Sequence, residues 1–137
     1  DDLAPLAAEA IALELCTELA RASRERPASA EPAWLARVRA FLHDEFRSAL
    51  TAGRIAEVAG VHPVHLARVF RAHHGASLGA YVRRLRLEWA AEALAGSDAP
   101  LATVALQAGF FDQSHFSRAF RAHTGVSPGA WRARRRS

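Results

Sequence analysis

The chain has 137 residues, of which 50% are hydrophobic and 23% are charged, a composition typical of a folded globular protein rather than a disordered tail. The apolar runs are short and interrupted by charge, and no signal peptide is visible, so we expect a cytoplasmic protein without a membrane span. The single cysteine, Cys16, excludes an intrachain disulfide framework and a cysteine-based zinc cluster. Because the chain lacks methionine and begins at Asp1, we expect it to be part of a longer protein.

The net charge of +4 is distributed unevenly along the chain. Residues 1–50 carry a formal charge of −3, whereas residues 51–137 carry +7. A basic second half indicates a polyanionic partner, usually nucleic acid. An arginine-rich solvated surface is the alternative interpretation.

The first third of the chain predicts two helices. Leucines at helical spacing predict an N-terminal helix within residues 1–26, apolar on more than one face, and a linker follows at residues 27–33. Such a helix needs a partner to cover it. A second helix is predicted from Trp34 to Phe46, which turns Leu35, Val38, Leu42 and Phe46 inward.

An internal repeat organises the remainder of the chain. Residues 65–84 align with residues 115–134 at an offset of 50, and 11 of the 20 pairs are identical. Upstream of this stretch the offset becomes 49, so the second copy has one extra residue in its connection. One supersecondary unit therefore occurs twice.

The spacing within each copy indicates two helices joined by a tight turn. In the first copy, Thr51 is a good N-cap, Gly60 suits the left-handed backbone of a turn, and a second helix begins near His62 and Pro63. The small side chain of Ala56 lets the second helix cross closely over the first. These features are those of a helix-turn-helix.

The sequence thus predicts an all-α fold with helix-turn-helix units at residues 51–74 and 100–124. Residues 77–95 between them predict one helix of about 18 residues, which would span roughly 27 Å at about 1.5 Å per residue. One turn of DNA advances by roughly 34 Å. A rigid helix of this length between the two units would let both of their second helices enter successive major-groove segments on one face of a duplex.

Residues 34–136 resemble the DNA-binding domain of the AraC/XylS family of bacterial transcription regulators, and we take 34–137 as this domain. The strongest resemblance lies in the second unit, in the segments Val104 to Phe110, His115 to Arg121 and Ser127-Pro128, together with Gln113 and Gly125. It implies two helix-turn-helix units bridged by one long helix. It also implies a sequence-specific regulator, most often an activator, that binds double-stranded DNA at two boxes about one helical turn apart and contacts RNA polymerase.

The resemblance also gives the N-terminal segment a role. In family members with a sensory domain, the segment corresponding to residues 1–26 ends that effector or dimerisation domain. A homodimer would then form through this helix or through a missing upstream domain. The alternative is an added helix that packs on the DNA-binding domain.

The family's binding mode places the second helix of each unit in the major groove, and position along that helix then assigns candidate contacts. Base contacts are expected from residues off the buried face, namely Val64, Ala67, Arg68, Gln113, Ser114, Ser117 and Arg118. Phosphate contacts are expected from His65, Arg71, Arg83, Arg84, His115 and Arg121. Arg86 and the C-terminal Arg132, Arg134, Arg135 and Arg136 are weaker phosphate candidates, for which a solvated surface is the alternative.

The two copies serve as an internal control on these assignments. Residues identical in both copies cannot alone distinguish two different boxes, so Arg68/Arg118 and Arg71/Arg121 suit phosphate or shared base contacts. The differing pairs carry the discrimination, namely Pro63/Gln113, Val64/Ser114 and Ala67/Ser117. The first helix offers mostly apolar contacts to thymine methyl groups and the second offers hydrogen bonds, so the second is predicted to discriminate more sharply.

The sequence also suggests two other classes of function. Seven histidines suggest a metal-binding protein or metal enzyme, but the sequence has no HExxH motif and four of them recur as repeat equivalents, so we predict no metal, cofactor or catalytic residue. A protein-interaction module using the apolar N-terminal helix is the other alternative. Core spacing marks five aromatic residues as scaffold, namely Phe70, Trp89, Phe116, Phe120 and Trp131.

Overall fold

The computed structural model describes residues 30–136, which form seven α-helices. In chain order they are α1 (Ala33–Glu45), α2 (Ala52–Ala59), α3 (Pro63–His74), α4 (Leu78–Gly96), α5 (Leu101–Ala108), α6 (Gln113–Thr124) and α7 (Pro128–Arg136). The predicted fold, two helix-turn-helix units joined by a long helix, is confirmed for these residues. The predicted N-terminal helix of residues 1–26 lies outside the described residues.

Local capping interactions explain where the helices of the first unit begin and end. The side chain of Thr51 accepts a hydrogen bond from the backbone N–H of Arg54 at 3.1 Å, which satisfies a donor at the start of α2. Gly60 ends α2 in the left-handed conformation, with φ at 73°. Both the predicted N-cap and the predicted turn glycine are therefore confirmed.

The central helix α4 also begins at a predicted cap. Ser77 accepts a hydrogen bond from the N–H of Ala80 at 3.1 Å, and the helix then runs for 19 residues. Its equivalent in the second copy, Ser127, accepts from Ala130 in the same way at the start of α7. Since α4 packs against α3, α5, α6 and α7, it belongs to both units.

One apolar core runs through both units. The rings of Phe70, Phe116 and Phe120 are completely buried, and Trp89 and Trp131 pack against the core while partly exposed. Full burial of a side chain of this size contributes roughly 1.5–3 kcal/mol. The prediction that these five residues are scaffold is confirmed.

Among the described residues, none of the helices combines the length and the apolar content needed to span a bilayer.

Arg86 is the buried charged residue of this core, and the expectation that it contacts phosphate is wrong. Its side chain is 0% exposed at the middle of α4. It donates hydrogen bonds to the carbonyl oxygens of Phe46 at 2.5 Å and Ser48 at 2.7 Å, and to that of Gly109 at 2.9 Å. The first two carbonyls lie in the loop between α1 and α2, and the third lies in the turn between α5 and α6. One guanidinium therefore bonds both to the loop that leads into the first unit and to the turn of the second unit.

The C-terminal helix is held by a second arginine that had been expected on phosphate. Arg132 donates to the carbonyl oxygen of Leu94 at 3.0 Å and to that of Ala99 at 2.7 Å. These carbonyls lie at and just beyond the end of α4, where the helix leaves its last carbonyls without intrahelical partners. Arg132 thus closes the end of α4 rather than extending toward a ligand.

The turn glycines of the two copies occupy different surroundings. Gly60 has no heavy atom within 4 Å of where a Cβ would stand. At Gly109, where φ is 106°, a Cβ would lie 2.7 Å from Nε of Arg86 and 3.0 Å from the carbonyl oxygen of Arg47. We call Arg86 and the three carbonyl groups bound to it the Arg86 junction. The turn of the second unit packs directly against this junction, and the turn of the first unit does not.

This difference yields a matched pair of variants. Gly60→Ala should lower the free energy of unfolding by roughly 1–2 kcal/mol, which is the cost of a left-handed L-residue. Gly109→Ala should cost about 1–3 kcal/mol more, because its methyl group also overlaps the junction. Urea unfolding followed by circular dichroism measures both. Equal losses in the two variants would contradict the close packing at Gly109.

Candidate nucleic-acid interface

The second helix of the second unit, α6, presents a polar exposed face. Gln113, Ser114, Arg118 and Arg121 are exposed there, and Ser117 is half-buried. The opposite face buries Phe116 and Phe120 in the core, so packing fixes the orientation of the polar face. Four of these five side chains are accessible along one helix, as a helix that reads a major groove requires.

The start of α6 is fixed by a cap that sequence reasoning missed. The carboxylate of Asp112 accepts a hydrogen bond from the N–H of His115 at 2.7 Å. An aspartate directly before a helix is a usual cap, so the signal was present in the sequence. The cap holds the end of the helix at which Gln113 and Ser114 are exposed.

The corresponding helix of the first unit, α3, is more covered. Val64 is 37% exposed, and Arg68 and Arg71 are half-buried. The assignment of Ala67 to a base contact is wrong, because this residue is only 7% exposed. Helix α3 packs against both α2 and α4, so its buried face includes Ala67 as well as Leu66.

The guanidinium of Arg68 is held against its own helix. Its Nη2 lies 2.8 Å from Nδ1 of His65 in a hydrogen bond, and the His65 ring packs against Trp34 with ring centroids 5.8 Å apart. The equivalent arginine of the second unit, Arg118, is exposed. Identical residues in the two copies therefore have different freedom to reach a ligand.

A basic cleft lies between α4 and α6. It has a volume of about 480 Å³, and its lining includes Arg83, Arg84, His115, Arg118 and His123 around an apolar floor. Burial lowers the pKa of His115, and the charges of Arg118 and Arg83 lower it further while Asp112 opposes them. Three arginines on one surface make the cleft basic, which favours the binding of an anion.

At the C-terminal end of α3, a histidine is packed among aromatic rings. The His74 ring lies 4.4 Å from that of Phe70 and 5.3 Å from that of Tyr81, measured between centroids. Its Nε2 atom is buried and has no hydrogen-bond partner among the residues that the structure describes. Burial is the main cause that lowers the pKa of His74, with Arg39, His73 and Arg84 adding to it. This histidine is a structural group kept neutral by its surroundings.

Two large apolar side chains are exposed on the second unit. Leu106 is 60% exposed and Phe111 is 58% exposed. Phe111 directly precedes the Asp112 cap. As for metals, residues 30–136 contain no group of three or more His, Cys, Asp or Glu side chains placed to hold an ion.

Comparisons with known proteins agree with this architecture. The family model described as a helix-turn-helix domain matches residues 55–134. PqrA of Proteus vulgaris, described as a probable transcription factor, is 40% identical over 60 residues. That stretch covers 44% of this chain and 49% of PqrA, so the match spans about half the length of this curated relative.

Solved structures resemble nearly the whole described region. The C-terminal domain of AraT, a response regulator from Geobacillus stearothermophilus, superposes with a TM-score of 0.73 at 32% identity, over 77% of this chain and 88% of that one. The DNA-binding domain of AdpA, solved in complex with a target DNA, gives a TM-score of 0.71 at 27% identity over 74% and 92%. A regulator with an AraC-type domain from Chromobacterium violaceum gives 0.70 at 27% identity over 74% and 91%.

Two helix-turn-helix units built around one shared helix are the architecture of AraC-type DNA-binding domains, a class found in transcription regulators. With its family match over more than half its length, the chain belongs to this AraC-type helix-turn-helix family.

The neutral His74 predicts a pH dependence of stability. Above its ordinary pKa of 6.5, His74 is neutral in both the folded and the unfolded chain. Below that pH the unfolded chain takes up the proton first, so the free energy of unfolding falls until the pH passes the lowered pKa of the folded state. His115 acts in the same direction.

The test compares thermal unfolding of the wild-type chain and a His74→Phe variant at about pH 7.5 and about pH 5. Phenylalanine keeps a ring between Phe70 and Tyr81 and removes the titrating group. We expect a smaller loss of melting temperature on acidification in the variant. An equal loss in both proteins would show that His74 does not contribute.

Proposed function

We propose that this domain binds double-stranded DNA in a sequence-specific manner, with α3 and α6 in successive major-groove segments about one helical turn apart. The observation that carries the proposal is the exposed polar face of α6, held rigidly against a helix shared with α3. The AdpA domain, solved with a target DNA, supports the choice of nucleic acid as the partner.

In this proposal base contacts come from the accessible residues of both helices, namely Val64 and Arg68 on α3 and Gln113, Ser114, Ser117 and Arg118 on α6. Phosphate contacts come from the basic residues beside them, namely His65, Arg71, Arg83, Arg84, His115 and Arg121. The cleft between α4 and α6 supports the phosphate contacts, since it gathers Arg83, Arg84 and His115 on one surface.

The two helices contribute unequally to sequence discrimination. The exposed face of α6 carries the amide of Gln113, serine hydroxyl groups and the exposed guanidinium of Arg118. The exposed face of α3 carries the apolar side chain of Val64 and an arginine that is hydrogen-bonded to His65. Hydrogen-bond donors and acceptors distinguish all four base pairs in the major groove, while an apolar contact favours thymine. The box bound by α6 is therefore the more sharply defined of the two.

The proposal also covers the role of the intact protein in regulation. The intact protein acts in the cytoplasm as an activator that contacts RNA polymerase, and it dimerises through the N-terminal segment or an upstream domain. A reporter gene carrying the selected site, measured with and without the protein, tests the sign of regulation. Increased transcription is expected, and decreased transcription would make the protein a repressor.

Selection of binding duplexes from a random pool tests the DNA-binding proposal directly. The experiment uses the chain at fixed salt, because phosphate-driven affinity falls steeply with salt concentration. Enrichment of two boxes about one helical turn apart is the expected result. A single enriched box would overturn the two-box arrangement, and no enrichment would overturn sequence-specific binding by this domain.

Replacement of Arg118 should weaken specific binding more than replacement of its repeat equivalent. Arg118→Ala removes an exposed guanidinium and should cost about 1–3 kcal/mol against the selected site, with little change on unrelated DNA. Arg68→Ala should cost less, because the guanidinium it removes is already bound to His65. Titration of both duplexes with each variant measures this. Equal losses, or none for Arg118→Ala, would contradict the assignment.

Phosphate contact by the cleft predicts a change in salt dependence. Arg83→Ala should weaken binding to all sequences alike and reduce the slope of log K against log salt by about 0.9. Arg83→Lys keeps the charge, so it should keep the slope. Filter binding over a salt series measures both variants. An unchanged slope in Arg83→Ala would place Arg83 off the DNA backbone.

A further inference from the structure

The loop that leads into the first unit meets the turn of the second unit beside the middle of α4, at the Arg86 junction. The loop between α1 and α2 supplies the carbonyl groups of Phe46 and Ser48, and the turn between α5 and α6 supplies that of Gly109. All three accept hydrogen bonds from the same guanidinium. The side chain therefore links the backbone of the loop before the first unit to the backbone of the second unit, in addition to the linkage through α4 itself.

Both attached segments stand close to the helices that face DNA in the proposed function. The turn at Gly109 comes four residues before Gln113, the first residue of α6. The loop at Ser48 comes shortly before the Thr51 cap of α2, and α2 packs against α3. A displacement of either segment at the junction would thus be transmitted to a recognition helix.

The chemistry of the junction resists such displacement. A guanidinium is planar, and its N–H groups point in fixed directions, so three acceptors bound to it have fixed relative positions. Arg86 is completely buried. Water cannot replace a hydrogen bond that is broken there, which makes each lost bond costly.

A second arginine bridges the same gap from outside. Nη1 of Arg47 donates to the carbonyl oxygen of Gln107 in α5 at 3.3 Å, and its guanidinium carbon lies 4.5 Å from the ring centroid of Trp89 on α4. Arg47 is exposed, unlike Arg86. It can therefore be removed without leaving a buried carbonyl group unpaired.

We propose that Arg86, assisted by Arg47, is a positioning residue that sets the number of base pairs between the two DNA boxes. The inference rests on the proposed two-box binding. One base pair more or less moves a box by roughly a tenth of a helical turn, in both translation and rotation. A domain whose two units are locked together cannot follow that movement, so it binds well at one spacing only.

The experiment measures affinity for duplexes in which the selected boxes are separated by the selected spacer, by one base pair fewer, and by one and two more. The proteins are the wild-type chain, Arg86→Lys, Arg47→Ala and the control Glu92→Gln on the exposed face of α4. Lysine keeps the charge of residue 86 but cannot bind three carbonyl groups in the fixed geometry of a guanidinium. A duplex with the α6 box alone reports whether that unit still binds.

The wild-type chain and Glu92→Gln should lose about tenfold or more in affinity when the spacer changes by one base pair, which corresponds to losing one good base contact. Arg86→Lys and Arg47→Ala should lose clearly less, while their affinity for the single box stays within about twofold of wild type. This flattened spacing profile is the readout that a purely stabilising role would not produce.

Spacing profiles as steep as wild type in folded Arg86→Lys and Arg47→Ala would overturn the inference. If Arg86→Lys does not fold, as judged by circular dichroism, Arg47→Ala alone decides in the same way. A wild-type chain that binds both boxes equally well at every spacing would overturn this inference alone. A wild-type chain that gains no affinity from the second box would overturn the two-box function, and with it this inference. Selection of two boxes at one spacing, followed by unchanged variant profiles, would overturn the inference alone.

Discussion

The arrangement of the two units depends on a positive charge buried where they meet. Removing an arginine from water costs several kcal/mol unless its donors are satisfied inside the protein. Arg86 meets this requirement with backbone carbonyl groups from two separate segments, so the charge is stable only when both segments are in place. The folded positions of the α1–α2 loop and the α5–α6 turn are therefore mutually dependent.

The junction explains why the two copies of the repeat are not interchangeable. Gly60 and Gly109 both end a helix in the left-handed conformation, but only Gly109 lies against the junction, where a side chain would overlap Arg86. A similar divergence separates Arg68, which bonds to His65, from the exposed Arg118. Duplicated sequence thus supplies one scaffold twice, and the different surroundings of the two copies give equivalent positions different roles.

The helices, their caps and their turns could be predicted from the sequence because they depend on residues that are close together in the chain. Thr51, Gly60 and Ser77 have the effects predicted from their own neighbourhoods. The role of Arg86 was missed because its charge was given more weight than its position. It lies four residues after Val82 and four before Ala90, both fully buried, so periodicity alone would have turned it inward. Its partners lie 23 to 40 residues away, and no local pattern identifies them.

In the proposed two-box binding, the residues that choose the sequence of each box are different from those that set the distance between the boxes. The residues proposed to contact bases lie on the exposed faces of α3 and α6, and none of them takes part in the Arg86 hydrogen bonds. Substitution at Ser114 or Gln113 can therefore alter the preferred box without disturbing the junction, because distant sites contribute independently. Spacing depends on buried backbone contacts that tolerate little change. On this reasoning the box sequences can diverge readily while the distance between them stays fixed.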